Sequence, residues 1–383
     1  MSKQVSPRPV LGLLILTFLA FVVLGMAHES LGVAWPSMRA ALGRPVSDLG
    51  LLIAFSSLGY LLASAGYGWA HRRTGTGALL VLGAALLGIG LVAMALASGW
   101  AVVVVASVFL GLGGGLTDTG INAHAALSFD LGSINLLHGA YGVGATIGPL
   151  IVTISLTSGF RWRGGYGLVA GLQVLVLAMI WMRRGSWAEG EGALDDEPGS
   201  VGRRPQMWTM LALFFLYTGV EVAAGQWAFT LLTEGRGMSP GPAGIWVATY
   251  WGGLTAGRLG LGVIGRRLSP SRTLNGSLLV ALVGLAVLWW DPAGAGVVGL
   301  PIAGLGLAAV FPTLVAVTPT RMGRMRSTSS IGRQLAAASL GAASIPWLLG
   351  IVAEAYGLVV LSPGLFIAGV ALAVVHVVGS GRS

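Results

Sequence analysis

Three of the thirteen acids in this chain, Glu29, Asp118 and Glu221, fall inside long apolar runs rather than at their ends. A carboxylate at the centre of a membrane helix costs about 2.5 to 3.5 kcal/mol, so an acid retained there is expected to carry protons or bind a solute. Asp118 precedes Asp130 by about 18 Å of helix, which sets it near the middle of a bilayer core of about 30 Å. A carboxyl in so dry a place is a candidate to load and release a proton. Asn122 follows at i+4 on the same helix face, so a carboxyl and an amide are offered together to one solute. His138 and Tyr141, at i and i+3, form a second polar patch that a short connection brings beside Asp118, where an imidazole can share or tune the proton. Glu29, with His28 adjacent, and Glu221 are rough counterparts in the two halves of the chain, one on each side of a presumed cavity. Gln226 and Trp227 follow Glu221, an amide that can bond hydroxyls beside an indole that can stack on a sugar ring. The expected proton-coupling set is therefore Asp118, Glu29, Glu221 and His138, and the expected substrate-binding set is Asn122, His138, Tyr141, Gln226 and Trp227.

Composition says what must hold these groups. Of 383 residues 55% are apolar and 9% charged, with a mean hydropathy of +0.84, whereas a soluble domain carries about 25% charge. So few charges cannot cover a soluble surface, but a bilayer needs charge only at its two faces. Spans of about 20 to 25 residues leave no room for a large soluble domain. The 62 glycines and 13 tryptophans fit the same class, since small residues let membrane helices approach closely and indoles anchor their ends. There is no cysteine, hence no disulfide and no thiolate metal site. No P-loop, HExxH helix or nucleophile elbow occurs, so the chain is not expected to be an enzyme and no metal or cofactor is expected.

Twelve apolar segments can be read, near 10–36, 48–70, 76–97, 101–127, 132–157, 164–182, 207–233, 241–265, 272–290, 294–318, 329–353 and 359–379. The first reads as a span rather than a cleavable signal. With the N-terminus cytoplasmic, fifteen Lys and Arg lie on that side against five outside, which places both termini in the cytoplasm by the positive-inside rule. The net charge of +9 is thereby assigned to anionic lipid, not nucleic acid. Arg258 and Arg333 are the basic residues inside segments, near the cytoplasmic end, where snorkelling or gate salt bridges account for them. A polar stretch with two Arg pairs separates residues 1–183 from 207–383, and 184–206 reads as a cytoplasmic linker. A shift of about 194 residues superposes the halves: Arg72-Arg73 on Arg266-Arg267, Gly59 on Gly253, and, at a slightly larger shift, Gly144 and Pro149 on Gly341 and Pro346. Such a repeat suits two six-helix bundles that rock about a midplane site.

These features resemble the major facilitator superfamily over the whole chain. The run from Gly66 through His71, Arg72, Arg73 and Gly75 looks like a degenerate form of its cytoplasmic loop motif, with His71 where an Asp is usual. Gly257-Arg258 followed by Arg266-Arg267 is the second-half copy. The resemblance implies an inward gate formed by Arg72, Arg73, Arg258, Arg266 and Arg267, with the first latch weakened by loss of the Asp. Within the superfamily the chain is most similar to the fucose/galactose/glucose–proton symporter group. The similarity lies in Gly111 to Asn122 with Asp118 four residues before the Asn, in Asn135, His138 and Tyr141, and in Phe311-Pro312-Thr313. The group's fucose permease has an Asp where this chain has Gly32, and the nearest acid is Glu29.

The sequence thus predicts an all-α polytopic membrane protein of twelve helices in two pseudo-symmetric bundles. The expected activity is proton-coupled symport of a monosaccharide or similar polar solute by alternating access, with sodium as the other candidate coupling ion. The alternative is a proton-coupled exporter of amphipathic compounds, since Gly144 to Pro149 resembles part of the drug–proton antiporter motif. The expected partners are a small-molecule solute and the lipid bilayer, the expected state a monomer, and the expected location a bacterial inner membrane.

Overall fold

The computed structural model describes residues 7–129, 131–187, 205–264, 269–322 and 327–380. These residues are helical almost throughout, without a strand among them. Among the described residues ten helices are long and apolar enough to cross a bilayer. One of them, 48–96, is two spans, because Gly75 breaks it with φ 76°. Pro240–Ile264 is a further helix of 25 residues, so the described residues form twelve spans, as the apolar runs predict.

In chain order they are α1 (7–42), α2 (48–74), α3 (76–96), α4 (Trp100–Ser128), α5 (Leu131–Thr157), α6 (Arg161–Met182), α7 (205–235), α8 (Pro240–Ile264), α9 (Pro270–Trp290), α10 (299–322), α11 (Ser327–Tyr356) and α12 (Leu361–Ser380). Three depart from simple rods. The first is interrupted at Ser30, whose hydroxyl donates back to the Met26 carbonyl at 2.6 Å, a bond that bends helices. It then continues past the expected boundary to Leu42, where Gly43 closes it with φ 61°. A π turn over Leu231–Gly235 ends α7, and α10 loosens at Ala308 and Ala309. Of the linker expected over 184–206, residues 188–204 lie outside the described residues, as do Arg266 and Arg267.

The two-bundle repeat is visible in how glycines let helices touch. In the first half a Cβ on Gly144 of α5 would collide with the Val22 carbonyl of α1; in the second, one on Gly341 of α11 would collide with the Phe215 carbonyl of α7. Gly111 of α4 lies against the Ser56 carbonyl of α2, and Gly304 of α10 lies in the same way against the Tyr250 carbonyl of α8. Each pair recurs at the shift already seen in sequence. Without water to expel, association in lipid rests on such close van der Waals contact. The seams between the halves use the same device: Gly32 of α1 meets the α7 backbone at Gln226, Gly50 of α2 meets Trp347 of α11, and Gly142 of α5 meets Thr255 of α8.

Gly341→Val is expected to lower stability by about 1–3 kcal/mol, the usual cost of overpacking. Gly276→Ala, where a Cβ meets nothing within 4 Å, is expected to leave it unchanged or slightly raised. Thermal unfolding of purified protein compares the two, and equal midpoints would show that the α7–α11 contact is not close-packed.

Candidate functional site

Between the halves lies a cavity of about 2990 Å³. Its mouth is lined by Arg72 and Arg73 at the end of α2, Pro270 and Thr273 of α9, and Gly332 of α11. These positions share one face with the N-terminal end of α1 and the C-terminal end of α12, here called the terminal face. On the opposite face the halves are joined. Arg39 of α1 donates to Glu234 of α7 at 2.6 Å, and the Ser47 backbone N–H donates to Glu354 of α11 at 3.2 Å. Among the described residues the cavity is therefore open at the terminal face and shut at the other.

Three polar clusters line the cavity. In the first, Asp118 of α4 accepts from the Tyr60 hydroxyl of α2 at 2.5 Å and from Asn122 Nδ2 at 3.0 Å. The i+4 pairing of Asp118 with Asn122 is the one their spacing predicts. The Asn122 amide also donates to the Asp118 backbone carbonyl, so both of its N–H groups serve Asp118 in this state. His138 of α5 lies within electrostatic reach of Asp118, and its ring meets the edge of Phe21 at 6.0 Å. Tyr60 carries no signal of its own in sequence. It reaches Asp118 because Gly111 and Gly115 leave α4 bare enough for the α2 backbone to lie on it.

In the second cluster Glu29 of α1 accepts from the Tyr141 hydroxyl of α5 at 3.0 Å and from Gln226 Nε2 of α7 at 2.8 Å. Gln226 also donates to the His28 carbonyl at 3.2 Å. Both partners of the Glu29 carboxyl are donors, which suits a carboxylate, and Gln226 belongs to the other half of the chain.

The third cluster corrects two expectations. Glu221 of α7 accepts from Arg258 of α8 at 2.9 Å, and Arg258 also approaches the Tyr217 hydroxyl at 3.4 Å. Arg258 is thus part of the cavity wall, not of a gate at the terminal face, because its long side chain reaches across to α7. Glu221, expected among the proton-coupling acids, is held as the partner of a cation. The Tyr250 hydroxyl donates to the Glu221 backbone carbonyl at 2.7 Å and braces the pair.

Trp227 corrects a third. It is fully enclosed, donates from Nε1 to the Pro346 carbonyl at 2.9 Å and packs α7 against α11. It does not line the cavity; neighbours at i and i+1 on a helix do not share a face. At the mouth, Arg73 stacks on Trp69 of its own helix at 3.9 Å, while His71 bonds Thr76 at 3.0 Å and stacks on Tyr67. With His71 in place of an acid, the loop is tied to itself, in keeping with an open mouth.

Two helical halves around one chamber, apolar for the most part with polar clusters set in its wall, are the architecture of a membrane protein that moves a solute. Residues 13–331 match the Major Facilitator Superfamily model, and the chain belongs to that superfamily of transporters. It is 27% identical over 82% of its length to an uncharacterised transporter of the superfamily from Yersinia pestis, covering 79% of that protein. It is 24% identical over 86% of its length to a glucose/mannose transporter of Bacillus subtilis, covering 85% of it. The fold matches the crystal structure of a D-xylose–proton symporter with a TM-score of 0.74 at 13% identity, over 95% of this chain and 97% of that one.

Arg39 and Glu234 are 28% and 27% exposed, so their bond contributes only about 0.2–1 kcal/mol. The closed face is accordingly held by a weak latch. Arg39→Glu is expected to raise labelling of a cysteine at Ser57, on the cavity wall, about fivefold from the face opposite the termini. Arg39→Glu with Glu234→Arg restores the wild-type rate, and labelling indifferent to either change removes the pair from the latch. The natural absence of cysteine makes the single-thiol readout direct.

Proposed function

We propose that the protein is a proton-coupled symporter of a monosaccharide or similar neutral polyhydroxylated solute. The observation that carries the reading is the carboxyl of Glu29, which hangs from the first half and is held by an amide of the second at the inner end of the cavity. A proton on that carboxyl changes what the two halves can bond to at their meeting point, which is the requirement for coupling. Asp118 is a second proton carrier, held within the first half by Tyr60 and Asn122. The glucose/mannose transporter and the D-xylose–proton symporter among the similar proteins support this class of solute and ion.

By the positive-inside rule the terminal face is cytoplasmic, and the state described is inward-open. In the outward-open state protons load on Glu29 and Asp118, and solute binds among Asn122, His138, Tyr141 and Gln226. Neutral carboxyls no longer need two donors each, which frees Tyr141, Asn122 and Gln226 to bond solute hydroxyls. The halves then rock, the Arg39–Glu234 bond forms behind the solute, and solute leaves toward the cytoplasm. Loss of the protons returns Tyr141 and Gln226 to Glu29. The Glu221–Arg258 pair stays together throughout.

In proteoliposomes with an imposed proton gradient, Asp118→Asn and Glu29→Gln are each expected to cut uphill accumulation at least tenfold. Exchange of solute across the same membranes remains largely intact in both. Undiminished accumulation by both variants would sink the coupling assignment. Efflux of lipophilic cations without any sugar uptake would instead establish an exporter.

A further inference from the structure

We infer that Tyr60 of α2 is a solute-binding residue switched by the proton on Asp118: an ionised carboxyl holds its hydroxyl, and a protonated one turns it to a hydroxyl or ring oxygen of a neutral polyol. The inference rests on the symport reading and deepens it, by naming the side chain through which the solute senses the proton. Tyr60 lines the cavity together with Asp118 and Asn122 and is half-buried. Its hydroxyl lies 2.5 Å from Asp118 Oδ2, the length of a charge-assisted O–H···O bond. Its main chain is held at two points, since a Cβ on Gly111 or on Gly115, one turn apart on α4, would strike backbone atoms of Tyr60. The phenol is thereby kept beside the carboxyl, and the direction of its proton is what remains free.

That direction follows from the state of Asp118. An ionised carboxyl only accepts, so the phenol donates to it; a protonated carboxyl has an O–H of its own to place. Asn122 Nδ2 already donates to Asp118 Oδ1, so the added proton resides on Oδ2 and points at the phenol oxygen. The bond then reverses: Asp118 donates, Tyr60 accepts, and the phenol O–H turns into the cavity. Only one hydroxyl rotates and no covalent bond of Tyr60 changes. Asn122 cannot switch in this way with both of its N–H groups, because one stays on the Asp118 backbone carbonyl whatever the carboxyl holds.

The released O–H opens onto a wall of hydroxyls. Ser64, at i+4 on α2 and so on the same helix face, and Thr119 of α4 both line the cavity, and Thr119 donates to Ser64 at 3.2 Å. A polyol oxygen seated on Tyr60 therefore has two more hydroxyls within the next turn toward the mouth, each able to donate or accept. The titratable groups that face Asp118 from other elements are His28 of α1, which packs on Gly114 and precedes Glu29, and His138 and Tyr141 of α5; α3 carries none. Among the described residues none of these bonds the Asp118 carboxyl, whose partners are Tyr60 and Asn122.

Binding of D-glucose, D-mannose, D-xylose and tetraphenylphosphonium to the purified full chain can be measured by titration calorimetry at about pH 5.5 and about pH 8.5. Wild type is expected to bind at least one sugar. Tyr60→Phe, which keeps the ring, is expected to bind it about tenfold more weakly than wild type at the lower pH, the loss of about one hydrogen bond. At the higher pH, where Asp118 holds the phenol, the two proteins should bind it alike. Comparing them at one pH removes what Glu29, His28 and His138 contribute, since both proteins carry those groups. Asp118→Asn sets an amide oxygen toward Asn122 and an N–H toward Tyr60, which fixes the phenol O–H outward; adding Tyr60→Phe to it should weaken binding about tenfold at both pH values. A loss on Tyr60→Phe that is equal at the two pH values, or absent at both, overturns the switch and leaves the symport reading standing. Should Tyr60→Phe not fold, Asp118→Asn decides: it should bind the sugar more tightly than wild type at the higher pH, and no gain there overturns the switch. Wild type that binds tetraphenylphosphonium and no sugar overturns the symport reading, and the switch falls with it.

Discussion

A charged group cannot remain in a low-dielectric interior without partners, and the arrangement of this protein follows from how each interior acid is provided with them. Glu221 has a permanent cation in Arg258. Asp118 has a phenol and an amide from its own half. Glu29 has a phenol from its own half and an amide from the other. The three look alike in sequence, yet one is paired with a cation, one is bonded within its own half and one is bonded across the seam between the halves. The distinction lies in which half supplies the partner.

The seam between the halves combines close packing with charged bonds at the membrane face. Where helices of one half must stay together, glycine puts backbone against backbone, as at Gly144 with Val22 and Gly341 with Phe215. Glycine also brings the halves together at Gly32, Gly50 and Gly142. The charged bonds added there, Arg39 with Glu234 and Glu354 with the Ser47 N–H, lie at the membrane face where water competes for them. A partly exposed ion pair is weak.

Much of the fold was legible in sequence because the bilayer imposes it: a span needs about 20 apolar residues, and interruptions show as charge or turn. The interruption of α1 at Ser30 was not, since a serine that bonds back to its own helix looks like any other small residue. Asp118 with Asn122 was legible as an i, i+4 pair, because both sit on one helix and need no neighbour to bring them together. Tyr60 was not, because it is 58 residues away and arrives by way of the glycine face of α4. Trp227 stands next to Gln226 in sequence, but adjacency turns a helical side chain by about 100°, and its indole packs against α11 and donates to the Pro346 carbonyl.

The sequence by itself determined that the chain crosses a membrane twelve times, that its halves repeat, and that Glu29, Asp118 and Glu221 lie inside, because hydropathy and period are local properties. Only the tertiary structure decided which partner each acid holds, that Arg258 belongs to the cavity and Trp227 to the packing, and which face is open. Those outcomes depend on contacts between helices far apart in the chain, and a carboxylate, an arginine or an indole takes its role from the helix that packs against it.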